Sequence, residues 1–121
     1  KDTDRKLIVG VFQNRLSKGM NLGSDVTTYY AFNQSMDKDL TSEMFNTYNP
    51  YNTRSSAMAG KLPVGPICNP SKESILASIN PTKSDYYYFV ADKNGNVYYT
   101  KTSSEHSAKV KELKEKGDWI W

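Results

Sequence analysis

The run from Thr47 to Pro70, TYNPYNTRSSAMAGKLPVGPICNP, is rich in Pro, Gly, Asn, Ser and Tyr and offers no clear secondary-structure element. In a chain of 121 residues, that is the feature that most limits the fold. Irregular segments of this length inside a small domain are usually functional or disordered. The aromatic and Pro content favours a loop held against the body of the protein. At 13.7 kDa one small domain is expected, and a chain of this size buries about two thirds of its unfolded surface. Charged residues are 24% and the apolar residues are spread along the sequence, which argues against wholesale disorder.

On either side of this run the periodicity is legible. Leu7, Ile8, Val11, Phe12 and Leu16 fall on one helical face and predict an amphipathic helix over 3–18. Asp2 or Thr3 is placed to cap its start, and Gly19 sits where a left-handed residue would end it. Residues 19–26 read as a turn-rich connector, with Ser24 or Asp25 placed to cap a short helix through TTYYAF. Another helical turn is expected within 37–45. Beyond the irregular run, Ser71 is expected to cap a helix that buries Ile75, Leu76 and Ile79 and stops at Asn80-Pro81. The period then changes: the β-favouring stretches 86–90 and 97–100 flank Asp92-Lys93-Asn94-Gly95-Asn96, the signature of a hairpin. A last helix over 104–116 sets His106, Val110 and Leu113 on one side, followed by an apolar tail of Trp119, Ile120 and Trp121. The fold class read from this order is α+β, helices packed on a small, mainly antiparallel sheet with one long ordered loop.

Several function classes lose support. A net charge of +3 does not demand nucleic acid, and Lys109, Lys111, Lys114 and Lys116 alternate with Glu112 and Glu115 as a solvated helix face. Cys68 stands alone, so neither an intrachain disulfide nor a Cys-based metal cluster is available. No apolar stretch reaches eighteen residues and no signal-peptide pattern is present; the chain opens on Lys1 and reads as a piece of something longer. Sequence marks of nucleotide-binding, zinc-protease and serine-hydrolase chemistry are missing. His106 is the only imidazole and reads as a packing or hydrogen-bonding residue. No Lys sits beside a Gly-rich phosphate loop of the kind a pyridoxal phosphate enzyme needs.

What remains is a loop-rich surface with Asp25, Tyr30, Tyr48, Tyr51, Asn52, Thr53 and Asn69. Sugars present hydroxyls that pair with Asn, Thr and Asp, and weakly apolar faces that rest on aromatic rings. The same composition also suits a protein-binding surface, or a set of tyrosines that fills core and rim.

Four ordered blocks carry a resemblance: NRLSKGMNLGSDVTTYYA (Asn14–Ala31), NPYNTRSSAMAGKLPVGPICNP (Asn49–Pro70), SILASINPTKSDYYYFVAD (Ser74–Asp92) and Glu105-His106. Together they resemble the endolytic murein transglycosylase, or YceG-like, family. The resemblance implies a membrane-anchored protein with a single N-terminal helix and an extracytoplasmic catalytic domain, of which 1–121 would be the C-terminal part. It further implies endo-cleavage of nascent peptidoglycan glycan strands to 1,6-anhydro-muramyl ends, with no metal or organic cofactor. Peptidoglycan strands are the implied partner, with cell-wall synthases and elongation proteins as further ones, and no nucleic acid.

The implied catalytic Glu falls upstream of Lys1, so no catalytic residue is expected among the 121 and the piece should bind without cutting. Asp2 and Asp4 lie nearest to that position and read as helix caps. Matched residue by residue, the glycan-binding set is Asp25, Tyr30, Tyr51, Asn52, Thr53 and Asn69, supported by Asn14, Arg15 and Ser24; Asp85 and His106 match as structural residues. Asp25 is equally readable as a helix cap, and Asn52 and Thr53 as residues that lock the loop. Two departures stand out, Gly23 where the family carries Gln and Val64 where it carries Pro. Readings from other classes are a non-catalytic glycan- or protein-binding module of the cell-wall elongation machinery and, more weakly, a pyridoxal phosphate aminodeoxychorismate lyase, a label the family has carried.

Overall fold

The structure, a computed structural model, describes residues 2–119, the side chain of Asp2 excepted. Its helices are α1 (Asp2–Lys18), α2 (Asp25–Ala31), α3 (Ser42–Asn46), α4 (Lys72–Ile79) and α5 (Ser103–Glu115), with a 3₁₀ turn at Ser56–Met58. The strands are β1 (Tyr88–Ala91) and β2 (Val97–Thr100). This is the α+β class with a two-stranded antiparallel sheet. The chain falls into two compact units, Lys1–Asn14 with Lys72–Trp121, and Arg15–Ser71. The boundary between them lies within α1. Among the described residues no helix is long and apolar enough to cross a membrane.

The first unit is built on regular elements and an apolar interior. β1 and β2 pair with Tyr88 opposite Thr100 and Ala91 opposite Val97, and α5 packs on both strands. Val11 of α1, Ala77 of α4, Val90 of β1 and Leu113 of α5 are its buried apolar side chains. Phe12 meets Phe89 edge-on with ring centroids 5.8 Å apart, an arrangement that aligns the positive ring edge with the negative face. Gly10 is a requirement of this packing. A β-carbon there would lie 2.2 Å from the carbonyl oxygen of Thr82, whose N–H donates to Lys6 O at 3.2 Å.

Asp92 organises the hairpin turn. Its Oδ1 accepts the N–H groups of Asn94 and Asn96, each at 2.9 Å, and its Oδ2 accepts the Asn96 amide at 3.1 Å and the Tyr98 hydroxyl at 3.0 Å. Burial by itself would raise the carboxyl's pKa; the donors from Asn96, Tyr98 and Asn94 outweigh it and hold the group below its ordinary 3.8. Asp92 reads the turn that the sequence placed at 92–96.

α5 starts with a capping box. The Thr102 hydroxyl accepts the Glu105 N–H and the Glu105 carboxylate accepts the Thr102 N–H, each at 3.2 Å. His106 stacks on Tyr88 with ring centroids 5.4 Å apart, the packing role expected of it. Glu112 pairs with Lys109 at 2.6 Å and Lys116 at 3.1 Å on the outer face. Trp119 lies under the Lys114 ammonium at 5.2 Å, whereas Ile120 and Trp121 of the expected tail are outside the described residues.

Two expectations change. Ile75, Leu76 and Ile79 do not form the buried side of α4: they are 47%, 53% and 74% exposed, and Ala77 is the residue that turns inward. A small residue lets a short helix approach its neighbours closely, which the periodicity of the three large side chains could not indicate. Asp2 and Thr3 lie inside α1 rather than ahead of it. Asp4 is no cap either, because its Oδ1 accepts the Tyr99 hydroxyl at 2.8 Å. That bond ties α1 to β2. The helical turn expected within 37–45 is present as α3, which begins at Ser42 where the Thr41 hydroxyl accepts the Met44 N–H at 3.1 Å.

Candidate functional site

The second unit, Arg15–Ser71, holds the long irregular run and most of the candidate residues. Gly19 has φ +75° and ends α1 as expected, its N–H reaching Leu16 O at 3.1 Å while Met20 N–H reaches Arg15 O at 2.9 Å. The loop returns to this stop: Gly60 N–H donates to Met20 O at 2.8 Å, and a β-carbon on Gly60 would lie 3.2 Å from Gly19 Cα. Arg15 donates to the carbonyls of Asn21 at 2.9 Å and Leu22 at 3.4 Å, so it holds the connector that leads to α2.

α2 starts without a side-chain cap from either residue expected to give one. Ser24 is the N-cap by position, yet its side chain makes no cap bond. Its backbone is engaged instead, with Ser24 N–H donating to Thr53 Oγ1 at 2.9 Å and Ser24 O accepting the Thr27 hydroxyl at 2.7 Å. Asp25, in the first turn of α2, forms an ion pair with Arg54, whose guanidinium lies 4.0 Å above the Phe45 ring. The short α2 is therefore fastened to the loop at its entry.

Asn52 and Thr53 are fully buried, each 0% exposed. The Asn52 amide donates to Met44 O and Thr47 O, both at 2.8 Å, and its Oδ1 accepts the Thr28 hydroxyl at 2.7 Å and Arg54 N–H at 3.2 Å. Both ends of one side chain are thus spent on joining α2, α3 and the loop. Thr53 and Thr27 exchange a hydroxyl contact at 2.7 Å, and Thr53 N–H donates to Thr27 Oγ1 at 3.2 Å. Side chains placed this way satisfy backbone groups that an irregular chain leaves open. Asn52 and Thr53, expected either to line a glycan groove or to lock the loop, both lie beneath the surface with their side chains engaged in this network. Thr27, Thr28 and Arg54, which complete the network, were not singled out in the sequence. Their only signal was two adjacent Thr residues on a helix otherwise read for its tyrosines.

Tyr51 and Tyr30 stand above this network. Tyr51 N–H donates to Asn49 Oδ1 at 2.9 Å, and its ring meets the Tyr30 ring at 4.9 Å and 61°, an edge-on pair. Tyr30 remains 49% exposed. The Pro63–Pro66 turn closes on Tyr51: a β-carbon at Gly65 would lie 3.3 Å from its hydroxyl oxygen, and Val64 N–H donates to Pro50 O at 3.1 Å. Proline at position 64 could not make that bond. The Val64 departure therefore adds a fastening to the loop. Asn69 and Tyr48 are exposed.

Asn14 belongs to the first unit, where its amide donates to Ser84 O and Tyr86 O, both at 2.8 Å. It fixes the approach to the hairpin and uses its donors there. Asp85 is exposed. Among the described residues no group of three His, Cys, Asp or Glu side chains is placed to hold a metal ion. The chemistry on offer in the second unit is a pair of aromatic faces, Tyr30 from α2 and Tyr51 from the anchored loop, with neutral hydrogen-bonding groups.

The chain is 42% identical over 118 residues to an endolytic murein transglycosylase of Streptococcus pneumoniae, and 41% identical over 116 residues to one of Bacillus subtilis. These alignments cover 93% and 95% of this chain but only 21% and 31% of the relatives, so the chain spans less than a third of their length. A crystal structure of a YceG-like protein from Listeria monocytogenes superposes with a TM-score of 0.78 at 42% identity, covering 88% of this chain and 34% of that one. The profile of the YceG-like family matches residues 1–112, and the chain belongs to that family.

Proposed function

We propose that this chain is the glycan-holding part of an endolytic murein transglycosylase, an enzyme that cuts peptidoglycan strands without water and leaves 1,6-anhydro-muramyl ends. The observation that carries the reading is identity above 40% across more than nine tenths of the chain to proteins bearing that name. The site geometry supports it, since the Tyr30–Tyr51 pair offers aromatic surface to a sugar ring at low entropic cost.

The reaction needs one carboxylic acid. It protonates the glycosidic oxygen as the bond to C1 breaks, then as carboxylate takes the proton from the muramic C6 hydroxyl, whose oxygen closes onto C1. Asp25, the acid of the expected glycan-binding set, is committed to an ion pair with Arg54. We assign the acid to a Glu outside these 121 residues. In the proposed division of labour, Tyr30, Tyr51, Asp25 and Asn69 meet the strand, and Asn52, Thr53, Ser24 and Arg15 hold the loop that presents them. The same reading places the intact protein in the membrane through an N-terminal anchor, with this region outside the cytoplasm. Cell-wall synthases and elongation proteins are its natural neighbours there.

The test incubates this chain, and a version extended upstream through the assigned Glu, with uncrosslinked glycan strands and weighs the products by mass spectrometry. Muramyl ends one water lighter than hydrolytic ones, from the extended protein alone, are expected. Ordinary reducing ends would mean a hydrolase. Strand binding without cleavage by either protein would leave a binding module.

A further inference from the structure

α4 is a short helix with its large side chains on the wrong side. It has eight residues, and helices shorter than about 12 residues depend on packing for their stability. Its buried side chain is Ala77, 2% exposed, with Ser74 half-buried one turn earlier. Ile75, Leu76 and Ile79 form a stripe opposite this narrow seam and are left largely to water. Single exposed apolar residues need no explanation, but three on one face of one helix do.

The stripe borders a groove of about 200 Å³, lined by Lys6 of α1 and by Glu73, Leu76 and Ala77 of α4. That volume is below the range of small-ligand sites, roughly 300–1,000 Å³, and suits the side chains of a packed neighbour. Lys6 and Glu73 bring opposite charges to its rim. The walls are fixed by the chain that leaves α4. Thr82 N–H donates to Lys6 O at 3.2 Å, and Thr82 O lies where a β-carbon on Gly10 would be, 2.2 Å away. With its exit strapped to α1 in this way, α4 keeps Ala77 inward and the stripe outward.

We propose that the stripe and groove are the docking surface for the polypeptide that precedes residue 1 in the intact protein, a segment that lays an apolar face on Ile75, Leu76 and Ile79. Two observations choose this occupant over a separate partner. The chain covers 21% and 31% of the curated relatives and 34% of the YceG-like crystal structure, so most of each relative lies outside the matched part. α1 begins at Asp2, four residues before Lys6, which is about 6 Å along the helix axis. A segment joined there starts beside the groove, at an effective concentration in the millimolar range that a free partner does not reach. The amphipathic stripe legible in the sequence is then a true buried side whose cover comes from elsewhere in the polypeptide. The inference goes beyond the transglycosylase reading and uses none of its chemistry.

The experiment follows amide hydrogen exchange by mass spectrometry in this chain and in the protein carrying its upstream polypeptide. The amides of 75–79, measured against the hairpin 88–100, should exchange at least about tenfold more slowly when the upstream polypeptide is present. In that longer protein Ile79→Glu should lower the melting temperature and return 75–79 to the rate of the shorter chain, whereas Ile79→Leu should keep the slow rate. In the 121-residue chain Ile79→Glu should leave the melting temperature unchanged, because the side chain there faces water. Equal exchange in the two proteins, slow exchange that survives Ile79→Glu, or an equal melting shift in both overturns the proposal. Self-association of the 121-residue chain in sedimentation, abolished by Ile79→Glu while the upstream polypeptide leaves α4 exchange unaltered, overturns it in favour of a second copy. No readout here is strand cleavage, so the result stands whichever way the anhydro-end assay falls.

Discussion

The two units of this protein are held together by different physics. Among the described residues of Lys1–Asn14 with Lys72–Trp121, the buried apolar ones are Val11, Ala77, Val90 and Leu113, and Asp92 is the buried polar one. In Arg15–Ser71 the proportions reverse: Met58 is buried among Thr27, Thr28, Asn52, Thr53 and Ser55. Helices and a hairpin satisfy their own backbone groups, so their interior can be apolar. An irregular loop leaves carbonyls and N–H groups open, and buried side-chain amides and hydroxyls have to close them. A loop that must hold aromatic side chains at the surface is thus made rigid by polar groups inside it.

This contrast can be broken by substitution, and the largest effect is expected at Asn52. Replacing it with Leu keeps the volume but orphans Met44 O, Thr47 O, the Thr28 hydroxyl and Arg54 N–H. A cost of roughly 4 kcal/mol is expected, because each buried polar group left unpaired costs about 1–3 kcal/mol. Urea unfolding measures it, and a cost below that of a surface substitution would show the network to be idle. Leu113→Ala is the counterpart in the first unit. It should cost about 3 kcal/mol by the transfer and cavity terms, and hydrogen exchange should show the loosening in α5 and the hairpin while the loop amides of 49–58 keep their protection.

A third effect depends on pH. Asp92 has its folded pKa below the ordinary 3.8, so its contribution to stability is fully present above that value and is lost as pH falls through the folded pKa. Melting temperatures taken from pH 6 down to 2 should fall in the acid range, and Asp92→Asn should flatten that fall; a parallel curve would assign the acid sensitivity to other groups. The smallest effect is expected from Thr102→Ala, which removes the capping box and should cost about 1 kcal/mol, read as fraying of the first turn of α5.

The hairpin was legible because its signal is local. Tyr and Val on both sides of an Asn-Gly turn define register within a dozen residues, and β1 and β2 formed where the pattern placed them. Gly19 was legible for the same reason, a left-handed stop directly after an amphipathic run. The face of α4 was not. Ile75, Leu76 and Ile79 make a helical stripe, but which stripe turns inward depends on what arrives from distant sequence, and in α4 it is Ala77 that is buried. For the candidate site, residue types pointed to sugar chemistry and the four ordered blocks to a family. Whether Asn52 faces a ligand or a carbonyl depends on partners from Thr28 to Arg54, which no spacing rule brings together.

By itself the sequence determined the elements whose hydrogen bonds close within a few residues, the α+β class, and the chemical character of the loop: aromatic, amide-bearing and short of charge. Only the tertiary structure decided which residues of the loop and of α2 lie inside and which face water. It buried Asn52 and Thr53 and left Tyr30 half exposed against Tyr51. The physical reason is that an irregular segment has no hydrogen-bonding pattern of its own. Its conformation is set by whichever distant donors and acceptors can satisfy it, and those become neighbours only once the chain has folded.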